Sequence, residues 1–141
     1  MLPDGAVITG VTLRIRRSGV VGTNPFIIPD PSQNQGLNLL KVDIQAGFFH
    51  DNPDLEIFDF QAAGSRGNVG RFIKTPSERW YRAPLRSPCY PLVNRIGHTQ
   101  FRLHFAVDDD GGSMSPDYLS FYTGNADPAD RPQLILTYYL P

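Results

Sequence analysis

Large apolar residues recur at every second position along this chain in short runs, and proline, glycine and aspartate separate the runs. After the turn signal Pro3-Asp4-Gly5, the run AVITGVTLRIRR sets Val7, Val11, Leu13 and Ile15 on one face and Ile8, Thr12, Arg14 and Arg16 on the other. Successive side chains of a strand point to opposite faces, so this phase predicts a first strand with one buried side. Leu40, Val42 and Ile44 alternate with Lys41 and Asp43 in a second strand that stops at Gly47, and Phe48-Phe49 then adds aromatic bulk for the core. Residues 69–74 and 80–85 read as two more strands split by Thr75-Pro76-Ser77, and residues 90–93 as a short one. Further on, Phe101, Leu103, Phe105 and Val107 alternate with Gln100, Arg102, His104 and Ala106. Leu134, Leu136 and Tyr138 do the same against Ile135, Thr137 and Tyr139. The expected inward set is Val11, Leu13, Ile15, Val42, Ile44, Phe101, Leu103, Phe105, Leu134 and Leu136.

Helical periodicity is confined to residues 55–63, where Asp59 offers a cap and Gly64 a stop, which suggests one helix of about two turns. About eight short strands at this spacing predict an all-β fold, an antiparallel, jelly-roll-like β-sandwich with at most that one short helix. Residues 18–36 hold Gly19, Gly22, Pro25, Pro29 and Pro31, a connection longer than ordinary loops and hence the expected binding loop.

At 141 residues the chain is a single domain's worth, 1–141, able to bury roughly two-thirds of its unfolded surface in one core. The formal charge of −1 provides no field that would recruit nucleic acid. Lone Cys89 excludes an internal disulfide, and His50, His98 and His104 lie too far apart for zinc-ligand spacing. No apolar run is long enough for membrane insertion, and MLPDGAV lacks the basic and apolar regions of a signal peptide.

Three groupings carry candidate chemistry. Asp108-Asp109-Asp110-Gly111-Gly112, followed by Asp117, clusters carboxylates as a calcium ion needs, with Asp108, Asp110 and Asp117 as the candidate ligands. The same residues suit Asp-Gly turns that bond their own backbone. Trp80 and Tyr81 lie between Arg79 and Arg82, and an aromatic face beside guanidinium donors is what an acidic polysaccharide recognises. On a strand the two rings must point to opposite faces, so at most one serves as a platform and the other packs inward. Arg14, Arg16, Arg102 and His104 fall on the polar phase of their strands and would form a basic outer face if those strands share a sheet; a solvated face with partners such as Asp43 is the favoured reading, because exposed charges on the outer face of a sheet need no ligand. Catalysis is not expected. Cys89 lies between Pro88 and Pro91 with nothing to lower its thiol pKa, glutamate is confined to Glu56 and Glu78, and no phosphate loop or nucleophile elbow occurs.

The opening LPDGAVITGVTLRI and the closing DDDGGSMSPDYLSFYTGNADPADRPQLILTYYLP together resemble the DNRLRE-type domains, secreted β-sandwich modules. The resemblance rests on Pro3, Gly5, Ala6, Ile8, Val11, Leu13 and Ile15, then Tyr118, Phe121 and Thr123, then Arg131, Pro132, Leu134, Leu136 and Tyr138. It implies an extracellular or cell-surface accessory role without activity or cofactor of its own. In that family a further segment with opening strands precedes the LPDGA-like phrase, so the module is expected to be truncated on its N-terminal side. The leading expectation is a non-catalytic module that binds or displays polysaccharide, and the rival is a structural protomer that self-associates into a surface fibre or layer. An open sheet edge is expected beside residues 6–16, completed by a strand of another protein chain.

Overall fold

In a computed structural model, which describes residues 2–30, 32, 39–72, 76–107 and 116–141, the first apolar run becomes the long strand β1 (Val7–Val21). It anchors the larger of two antiparallel sheets. β4 (Trp80–Pro84) and β7 (Gln133–Tyr139) flank β1 on opposite sides, so that Leu13 meets both Ala83 and Leu134, and β6 (Tyr118–Phe121) pairs with the far end of β1. The smaller sheet has β2 (Leu40–Ala46) between β3 (Arg66–Phe72) and β5 (Thr99–Phe105). This is the expected all-β sandwich, with seven strands among the described residues. The sheets join at a bridge between Gly70 and Leu85. A Cβ on Gly70 would lie 2.5 Å from Leu85 Cδ2 and 3.0 Å from the Pro84 carbonyl, so only glycine lets the two backbones approach there.

Register explains which alternating residues are inside. Val11 and Ile15 are buried, but a bulge between Ile8 and Gly10 reverses the phase, leaving Val7 exposed and turning Ile8 onto the core. Val42 and Ile44 are fully buried, and Leu40, Val69, Phe72, Tyr81, Ala83, Leu85 and Val93 close the core around them. Leu13, Phe101, Leu103, Phe105 and Leu136 face that core yet remain half-exposed, and Leu134 is 40% exposed, which corrects the expected inward set at that position. Leu134 sits on β7, which among the described residues pairs only with β1, and it lines an open groove facing Phe101 and Leu103 of the opposite sheet.

Four other expectations change. Ser18, Gly19, Val20 and Val21 belong to β1, and the last three pair with β6 past a bulge at Ser18, so the expected binding loop begins later. Its Phe26 is a core plug, stacked on Tyr81 with ring centroids 4.9 Å apart; residues 31 and 33–38 lie outside the described residues. Residues 90–93 fall largely in a 3-10 helix, Ser87–Leu92, because Pro88 and Pro91 fix φ in the helical range and remove ladder donors. The expected two-turn helix shrinks to a 3-10 turn, Ile57–Phe60, with Glu56 at its N-cap and Asp59 Oδ2 accepting the Glu56 N–H. Finally, β1 is paired on both sides only over residues 12–14; among the described residues Val7–Gly10 pair with β7 alone, so the expected edge narrows to the first residues of β1.

Candidate binding surface

Trp80 stands opposite Arg16, on the outer face of the larger sheet, while Tyr81 stands opposite Ile15 and faces the core. Trp80 is 9% exposed because Arg14 and Arg16 cover it, their guanidinium carbons 4.5 and 6.0 Å from the ring centroid. Arg14 also donates to Gln133 and Arg16 pairs with Asp130. Arg79 and Arg82 are exposed, but neither has an uncovered aromatic face beside it from Trp80 or Tyr81. The four residues therefore do not assemble into a sugar platform: one ring is a core residue and the other is roofed by cation–π contacts.

The basic residues do not share a sheet either. Arg14 and Arg16 belong to β1, whereas Arg102 and His104 lie on β5 in the smaller sheet. There Arg102 donates to Asp43 Oδ2 from Nη2 at 2.6 Å and Nε at 3.1 Å, His104 Nε2 lies 3.4 Å from the same oxygen, and the Asn68 N–H donates to Oδ1 at 2.8 Å. Burial opposes the Asp43 charge, but the Asn68 amide, the Arg102 guanidinium and His104 together outweigh it and hold the carboxyl below its ordinary range. The remaining Arg102 nitrogen, Nη1, donates to the carbonyls of Asp59 and Ala62, at 2.8 and 2.6 Å. Arg102 is thus a clamp with its donors in use. It pins residues 59–62 onto the smaller sheet.

Asp117 spends a carboxylate oxygen on the Thr23 N–H at 2.6 Å, tying the end of β1 to the start of β6. Asp108 and Asp110 lie outside the described residues, among which no three His, Cys, Asp or Glu side chains gather as a metal site would require. Cys89 is completely buried, and desolvation raises its thiol pKa against the smaller opposing effects of its own backbone amide and Arg66.

Among the described residues, one side of the sandwich remains open. Among the described residues β5 pairs only with β2 and β7 only with β1, and neither contains lysine or proline, two devices that blunt a free edge. Two adjoining grooves run between them. One, of about 400 Å³, is lined by Leu13, Ile15, Phe101, Leu103 and Leu134; the other, of about 500 Å³, by Leu2, Val93, His98, Leu136 and Tyr138. Thr99 and Leu134 belong to both, which makes the trough continuous; it is mainly apolar in the first groove, and Asn94, Arg95 and His98 add polar lining in the second. Beyond the outer edge of β5, Leu55, Ile57, Phe58 and Phe60 stand 64–84% exposed in six residues. Sequence reasoning missed this surface because the same alternation marks an inward face whether or not an opposite sheet covers it.

No protein-family model matches the chain, and no curated protein or solved structure matches it.

Proposed function

We propose that this chain is a non-catalytic association module that accepts an extended strand from another protein chain along its open side. The observation that carries the reading is the edge of β5, unpaired among the described residues and free of lysine and proline, beside a continuous, largely apolar trough. An edge offers a row of backbone donors and acceptors that only another strand satisfies in full, and the trough offers burial to every second side chain of that strand. Seven residues of β5 give a ladder of about 23 Å. The resemblance to DNRLRE-type modules supports an extracellular or cell-surface setting, in which such an association would serve as an accessory to a surface layer or to a secreted enzyme. Polysaccharide recognition through Trp80 and Tyr81 receives no support from their burial. The test pairs a displayed library of twelve-residue peptides with a polysaccharide array, both applied to the folded chain. Recovery of alternating apolar peptides that compete with one another is the expected result; polysaccharide binding with no peptide recovered would overturn the reading.

A further inference from the structure

A separate cavity of about 290 Å³ is lined by Phe49, Pro53, Leu55, Asp59 and Phe60 on one wall and by Gln100, Phe101, Arg102 and Leu103 on the other. Four consecutive residues of a strand line one hollow only where it abuts the strand's edge, since side chains alternate between faces. The hollow therefore sits against the unpaired edge of β5. Most of its lining is apolar, and its polar groups are unequal. Arg102 is fully engaged with Asp43 and two backbone carbonyls. Gln100 accepts the Phe49 N–H through Oε1. Asp59 is only 6% exposed; its Oδ2 accepts the Glu56 N–H, while its Oδ1 is buried without a hydrogen-bond partner. A buried carboxylate oxygen left unpartnered is costly, and a donor satisfies it. The surrounding segment is acidic, with Asp51, Asp54, Glu56 and Asp59 and no lysine or arginine between residues 49 and 60.

Resting on the strand-accepting function proposed above, we infer that this cavity receives a lysine or arginine side chain of the docked strand, its stem against Phe49, Leu55 and Phe60 and its cation at the Asp59 carboxylate, whose buried Oδ1 is uncovered as the strand docks. A long basic side chain matches both parts of the hollow, since its methylenes bury against apolar walls while the head keeps a charged partner. The adjoining edge supplies the backbone ladder that makes a strand, and not a free amine, the occupant. The inference adds a specificity determinant to the docking surface: one basic residue set among alternating apolar ones.

The test selects a displayed library of twelve-residue peptides, randomised throughout, on the wild-type chain and on Asp59→Asn, which keeps an oxygen for the Glu56 N–H while removing the charge. Far-UV circular dichroism and thermal unfolding verify that the variant is folded. A second variant, Leu55→Ser, reports on the apolar wall if Asp59→Asn does not fold. The expected result is enrichment of lysine or arginine at one fixed position, with at least tenfold weaker binding when that residue becomes norleucine. Asp59→Asn should erase the preference, and Leu55→Ser should weaken binding of the basic peptide. Strand peptides recovered with no basic position, or with a basic preference that Asp59→Asn leaves intact, overturn the cavity assignment and leave strand docking standing. Recovery of no strand peptide overturns both. Saturable n-butylammonium binding that depends on Asp59, in the absence of any peptide binding, assigns the cavity to a free cation and overturns the strand as its source.

Discussion

Ile44 and Leu134 carry the same alternating signature in the sequence and have opposite fates in the fold. Ile44 is fully buried on the central strand of the smaller sheet, whereas Leu134 is 40% exposed at the rim of the larger one. Ile44→Ala should lower unfolding free energy by about 2–5 kcal/mol, and Leu134→Ala by under about 1 kcal/mol, in urea denaturation. Equal losses would mean that the trough is filled in the free protein. Asp43 differs again: its phase marked it as an outward residue, but β2 is covered on both faces and the carboxylate is buried under Arg102. Its folded pKa lies below the ordinary value of 3.8, so its contribution is present above that pH and is lost as pH falls through the lower folded value. Asp43→Asn deprives the part-buried Arg102 guanidinium of its carboxylate and should cost about 1.5–3 kcal/mol. The variant should also show a flatter decline of stability below about pH 4 than the wild type. An unchanged pH slope would remove Asp43 as the acid-sensitive group.

At the scale of elements, alternation identified β1, β2, β5 and β7 because each sets its apolar residues toward the core side, while the shorter signals were decided by local backbone chemistry. Residues 90–93 have strand-like composition, but two flanking prolines impose a 3-10 turn. The bulge at Ile8 and Gly10 is invisible to a strict period of two and moves Ile8 inward. The β4 hairpin depends on Glu78 and Arg79, which hold φ of 51° and 67° in the left-handed region between the paired residues Ser77 and Trp80. A two-residue turn of this kind favours Asn-Gly, and nothing in a Glu-Arg pair announces it. Arg79→Gly should relieve that strain and raise stability by about 0.5–1 kcal/mol, less the entropy glycine loses on folding. A thermal midpoint below the wild type would show that the Arg79 side chain makes a stabilising contact that outweighs the strain.

For the molecule as a whole, the sandwich class was legible because its cause, burial of one face per strand, is written residue by residue. The open side was not, since it depends on which strand ends up beside which. β1 was expected to border a gap along residues 6–16, yet its residues 12–14 lie between β4 and β7, and among the described residues β5 and β7 each leave one edge unpaired. The candidate cavity was hidden for a related reason: Asp59 and Phe60 are brought against Phe101 and Leu103 by the Arg102 clamp, across about forty positions of sequence. The most direct measurement of the central proposal is residue-resolved amide hydrogen exchange on the chain, alone and with a selected strand peptide bound. Alone, the outward-facing amides of β5 should exchange far faster than those of β1 and β2; with peptide, they should slow by at least tenfold while β4 around Trp80 is unaffected. Amides of β5 already as slow as those of β2 in the free chain, or peptide protection that appears elsewhere and leaves β5 unchanged, would contradict the account.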